Sequence, residues 1–91
     1  MEWRLFADIA EAAGSRRVTV ELDGERTVAA ALDALVASEP ELEPLVLDDG
    51  ELASHLTVLR NGRNVETEGD GLDTAVAPDD ELALFPPVSG G

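Results

Sequence analysis

Ninety-one residues with no cysteine, six arginines, no lysine and twenty acidic side chains carry a net charge of −14, with a sequence pI near 4.1. That length holds one hydrophobic core, and 44% hydrophobic residues at a mean hydropathy of −0.04 make the chain globular, not disordered. The composition excludes a disulfide framework, a thiolate nucleophile and a zinc knuckle, and it speaks against nucleic acid, whose phosphates need basic partners.

The start, Met1-Glu2-Trp3-Arg4, lacks the basic-then-apolar order of a signal peptide, and no apolar run reaches membrane-spanning length. A soluble, cytoplasmic monomer that avoids membranes is the expectation. Lysine avoidance with acidic excess fits a salt-rich cytoplasm: self-repulsion destabilises a small fold, and molar salt shortens the screening length to about 3 Å.

Glu2 to Ala7 alternates and reads as a first strand, with Trp3 and Leu5 on one face and Arg4 and Phe6 on the other. Asp8 is placed to cap a short helical turn through Ala13, stopped by Gly14. Arg17 to Leu22 alternates as a second strand, ended by Asp23-Gly24. Thr27 caps the principal helix, which runs to about Ser38, with Val28, Leu32, Leu35 and Val36 as its apolar stripe and Asp33 opposite. Glu39 to Ser54 reads as a loop anchored by Leu45, Val46 and Leu47. Leu56 to Arg60 is a third strand, turned at Asn61-Gly62 into Asn64-Val65. Glu66 to Asp80 reads as an irregular acidic stretch pinned by Leu72 and Val76, and Glu81 to Phe85 as the last strand. The order β-β-α-β-β defines an α+β layer pair with one helix over a sheet.

The last strand empties into Pro86-Pro87-Val88-Ser89-Gly90-Gly91, with no charge after Glu81. Two prolines favour an extended path of about 3.1 Å per residue, so six residues reach roughly 18 Å. Two glycines without Cβ can thread a narrow channel and leave the Gly91 carboxyl open to attack. Alone, Gly-Gly is compatible with a frayed end; the Pro-Pro spacer after an apolar strand points to a tail made for insertion. A carboxylate of pKa about 3.3–3.7 is ionised and a poor electrophile at neutral pH, so it needs activation, most directly as an acyl-adenylate.

Nothing else in the chain carries comparable chemistry. Asp48-Asp49-Gly50-Glu51 and Asp79-Asp80-Glu81 lack the ligand spacing of a calcium loop, so no metal site is expected. His55 has no serine or cysteine constellation around it and reads as a polar loop-edge residue. Glu68-Gly69-Asp70-Gly71 is acidic and lacks the lysine of a phosphate cradle. No catalytic residue and no cofactor bound by this chain is expected; it reads as a substrate and donor. Partners should use apolar residues near the tail root: Phe85 first, with Val88, then Phe6 and Leu59, for which core packing is the equal alternative.

With Arg60-Asn61-Gly62, the terminal Leu84-Phe85-Pro86-Pro87-Val88-Ser89-Gly90-Gly91, the start Trp3-Arg4-Leu5-Phe6-Ala7-Asp8 and the helix Ala31-Leu32-Asp33-Ala34-Leu35, the chain resembles the small archaeal ubiquitin-like modifiers over essentially its whole length. These are β-grasp relatives of the sulfur-carrier small subunit of molybdopterin synthase. The resemblance implies a ubiquitin-like β-grasp domain over residues 1–85, a mixed sheet against one main helix with first and last strands adjacent at its centre, and a flexible exposed tail over 86–91. It implies that an E1-like enzyme, using ATP and magnesium, adenylates Gly91. Isopeptide bonds to target lysines would follow, or a thiocarboxylate donating sulfur with the molybdopterin synthase large subunit or for tRNA thiolation. Gly90, Ser89, Val88, Pro87 and Pro86 would be required for activation. A dedicated sulfur carrier without conjugation is the alternative. A chain without lysine cannot extend modifier chains through its own lysines.

Overall fold

The computed structural model describes residues 1–49, 51–53 and 55–86. β1 (Glu2–Leu5) sends Trp3 and Leu5 into the interior, as its alternation predicts. It is one residue pair shorter than expected: Phe6 remains extended, and Ala7 takes φ 55°, swinging the chain directly into α1 (Ala7–Ala13). Asp8 therefore lies inside the first helical turn and caps nothing with its side chain, whereas Gly14 closes the helix with φ 75° as expected.

β2 (Arg17–Thr19) pairs antiparallel with β1, Trp3 opposite Val18. The expected strand to Leu22 ends early, because the pairing stops at mutual backbone bonds between Met1 and Val20. Val20 is still buried and Leu22 packs against the core. α2 (Val28–Ser38) has the expected bounds, and Thr27 Oγ1 accepts the Ala30 N–H at 3.2 Å. Its buried stripe is Val28, Ala31, Leu32 and Leu35, with Val36 half-buried at the margin and Asp33 exposed.

Within the segment expected as a loop, the described residues form short regular elements. A 3-10 turn (Pro40–Leu42) leads into α3 (Glu43–Val46), and β3 (Leu47–Asp48) pairs with β4 (Glu51–Leu52). Leu42 and Val46 are fully buried, while Leu45 and Leu47 pack on the core's edge. Two prolines begin helical turns here, at positions where a missing N–H is harmless, so they initiate structure instead of breaking it.

β5 (Thr57–Arg60) and β6 (Arg63–Asn64) form a hairpin across Asn61 (φ 50°) and Gly62 (φ 84°), the two left-handed residues of the anticipated tight turn. Val65 starts α4 (Val65–Glu68), capped by Asn64 Oδ1, and a 3-10 turn follows at Gly71–Asp73. Val76 is buried and Leu72 half-buried, as predicted for that acidic stretch. β7 (Glu81–Phe85) has the expected bounds.

The five-stranded sheet has the order β2-β1-β7-β5-β6, with β1 and β7 parallel at its centre and the other pairings antiparallel. One face carries Trp3, Leu5, Val18, Val58, Leu82 and Leu84 into a core shared with α2, Ile9, Leu42 and Val46. Trp3 Nε1–H donates to the Ala31 carbonyl at 2.9 Å, clipping the central strand to α2 and satisfying the buried indole.

Candidate functional site

Alternation that drives Leu82 and Leu84 inward turns Ala83 and Phe85 onto the other face of the sheet. In the parallel β1–β7 register, Arg4 lies beside Ala83 and Leu5 beside Leu84; on the other side, Leu59 faces Ala83 and Thr57 faces Phe85. Phe6 and Phe85 stack at 4.3 Å between ring centroids, 15° from parallel, and the Arg4 guanidinium stands 6.0 Å from the Phe6 ring centre. Phe6, Phe85 and Leu59 are all half-buried and none belongs to the core cluster. Core packing is therefore not the role of Phe6 or Leu59. Of the four apolar residues named from sequence, Phe6 and Phe85 meet on the outer face at the end of the sheet where the chain leaves β7, Leu59 lies further in beside Ala83, and Val88 lies outside the described residues.

Pro86 follows β7 immediately and lines a cleft of about 470 Å³ with Ala7, Asp8, Ile9, Leu45, His55 and Leu56. His55 is exposed on the turn before β5, and the fold brings it and Asp8 to the tail root, a neighbourhood that sequence spacing does not disclose. Pro87, Val88, Ser89, Gly90 and Gly91 lie outside the described residues.

The opposite end of β7 is tied down by one carboxylate. Asp80 is buried and accepts from Arg60 Nε at 2.8 Å, Asn61 Nδ2 at 2.9 Å and the Ala77 N–H at 2.8 Å. Asn61 completes the clasp, its Oδ1 accepting the Glu81 N–H at 3.0 Å and its own N–H donating to the Glu81 carbonyl at 2.8 Å. The Ala77 N–H, then Asn61 and Arg60, hold the Asp80 pKa below the ordinary carboxylate range despite burial. In sequence this residue is one member of an acidic run; only its three convergent donors distinguish it. Among the described residues, no helix is long and apolar enough to cross a membrane.

A mixed sheet with first and last strands parallel at its centre, one long helix across one face and the chain leaving from the central strand is the β-grasp architecture of ubiquitin-like proteins. The chain belongs to the ThiS family, matched over residues 3–91. It is 61% identical to Small archaeal modifier protein 1 of Haloferax volcanii over the full length of both chains. The crystal structure of that protein agrees with a TM-score of 0.89 at 59% identity, over 100% of this chain and 98% of that one. A candidate sulfur carrier protein of Archaeoglobus fulgidus is 36% identical, over 79% of this chain and 83% of its own. A chain from the Amycolatopsis orientalis BexX/CysO complex shares the fold, with a TM-score of 0.82 at 21% identity over 99% of this chain and 98% of that one. This chain is of the ubiquitin-like modifier and sulfur-carrier class, a donor substrate and not an enzyme. The full-length likeness to a modifier favours the joint role over a dedicated carrier. A relative from a halophilic archaeon also suits the lysine-free, acidic composition.

Proposed function

We propose that the α-carboxylate of Gly91 is the working group of this chain. An E1-like enzyme in the cytoplasm transfers AMP from magnesium-bound ATP to that carboxylate and releases pyrophosphate. The resulting mixed anhydride is attacked either by a lysine amine of a target protein, forming an isopeptide bond, or by a sulfur nucleophile that leads to a thiocarboxylate; AMP is the leaving group. The thiocarboxylate serves molybdopterin synthesis with the large subunit of the synthase. The chain acts as a monomer, and Pro86, Pro87, Val88, Ser89 and Gly90 carry the carboxylate into the partner's channel.

One observation supports this most directly: the aromatic stack Phe6–Phe85 sits on the outer sheet face at the last residue of the central strand. A partner gripping that face holds the root of the tail in a fixed place, so the tip needs to search only the reach of six residues. Host expression of wild type and a form lacking Gly90 and Gly91 tests the reading. Wild type should give higher-mass conjugates and a terminal oxygen-to-sulfur exchange in the intact mass; the truncated form should give neither. In Ser89→Arg, trypsin should leave Gly-Gly on target lysines. Conjugates and cofactor synthesis that persist without the two glycines would overturn the proposal.

A further inference from the structure

The charge of this chain is unevenly distributed at one place. Arg4, Arg16 and Arg17, half of its six cations, line a single cleft of about 550 Å³ with Phe6, Ala10 and Glu11. The backbone brings them there: the Leu5 N–H donates to the Arg16 carbonyl at 2.8 Å, and Arg4 is registered opposite Arg17 in the β1–β2 ladder. Arg16 and Arg17 are exposed and Arg4 is half-exposed. Their intramolecular pairings are loose, Arg4 Nη1 standing 3.6 Å from Glu81 and Arg17 Nε 3.9 Å from Glu2, at side chains between 34% and 64% exposed. Such pairs contribute about 0–1 kcal/mol, so the guanidiniums can exchange them for other carboxylates. Arg60, by contrast, is committed to Asp80 at 2.8 Å.

We propose that this cleft is a docking site for an acidic peptide segment of a protein partner. Three features favour that occupant. The chain as a whole is strongly acidic, and these three cations line one cleft, so a partner's carboxylates meet less repulsion there than over most of the body. The cleft shares Phe6 with the stacked pair, so a partner covering the apolar patch meets the arginines at its rim, the usual arrangement of apolar centre and polar border. That continuity rests on the reading of Phe6 and Phe85 as a partner surface. Finally, the cations are all guanidiniums, whose planar forks hold carboxylates at contact distance, where screening by concentrated salt has least effect.

Backbone amide NMR of the full chain, titrated with a Glu/Asp-rich dodecapeptide at about 0.15 M and about 1 M salt, tests the site without involving Gly91. Shifts should concentrate at Arg4, Phe6, Ala10, Arg16 and Arg17 and persist, weakened, at the higher salt. Arg16→Glu/Arg17→Glu should weaken binding about tenfold while Arg16→Lys/Arg17→Lys keeps part of it; spectral dispersion of each variant reports that it is folded. No localised shift, or equal binding by the folded charge-reversed variant, would overturn the proposal. So would shifts in this cleft with inorganic phosphate but not with the peptide. Normal tail activation alongside any of these failures would sink the docking site and leave the role of Gly91 standing.

Discussion

Asp80 shows how a single side chain can organise a strand in an otherwise repelling acidic field. Its carboxylate collects three donors from Ala77, Arg60 and Asn61, and is well shielded from solvent. Replacing it with Ala should destabilise the fold by about 2 kcal/mol at neutral pH, because three donors lose a charged acceptor; chemical denaturation measures this. Since the folded pKa is lowered, the contribution is present above the unfolded value of about 3.9 and is lost as pH falls through the lower folded value. Asp80→Asn should therefore flatten the acid limb of the stability–pH curve; an unchanged limb would rule out this carboxylate as its source. Phe85 answers to a different requirement. Phe85→Ala should cost only about 1 kcal/mol of stability, the scale of one aromatic pair, while weakening the activating partner's binding about tenfold or more. Calorimetry of both quantities on one sample separates the two effects, and equal loss of both would make the ring merely structural.

Among the elements, β7 is held from both sides and anchored at its start, so its two ends can be perturbed separately. Gly62 sits at φ 84° in the turn beside Asp80, at the end remote from Phe85. Gly62→Ala should lower stability by about 1–2 kcal/mol through left-handed strain yet leave the folded protein fully competent for activation; a loss of activation at constant foldedness would contradict the separation. The caps and strand limits also show what one-dimensional pattern conveys. Thr27 was legible as a cap residue, α2 by its apolar period and β7 by the charge boundary at Glu81. β2 was overread because alternation continues to Leu22 whereas β1 offers no partner that far. The hairpin of β3 and β4 was missed because two-residue strands carry no period, and Leu42 was missed because its burial comes from a 3-10 turn beginning at Pro40.

At the scale of the whole molecule, a net charge of −14 occupies a body with a Cα radius of gyration of 12.0 Å. Raising salt from about 0.1 M to 1 M shortens the screening length from about 10 Å to 3 Å. The unfolding midpoint should then rise, and each 1 kcal/mol of relieved repulsion is worth about 4–8 °C in a domain of this size. A midpoint that stays flat across a potassium chloride series would show that the acidic surface is not a source of instability.

Composition, periodicity and the terminal Phe-Pro-Pro-Val-Ser-Gly-Gly run established the class of fold, the main helix, the last strand and the residue on which the chemistry is proposed to fall. These are local properties, carried by neighbours along the chain. That Phe6 stacks on Phe85, what Asp80 binds, and that Arg4 meets Arg16 and Arg17 were settled only by tertiary structure. Each depends on strand register and chain reversal, which bring together residues as far apart as Phe6 and Phe85, and a side chain's partners across such a distance leave no mark in its own stretch of sequence.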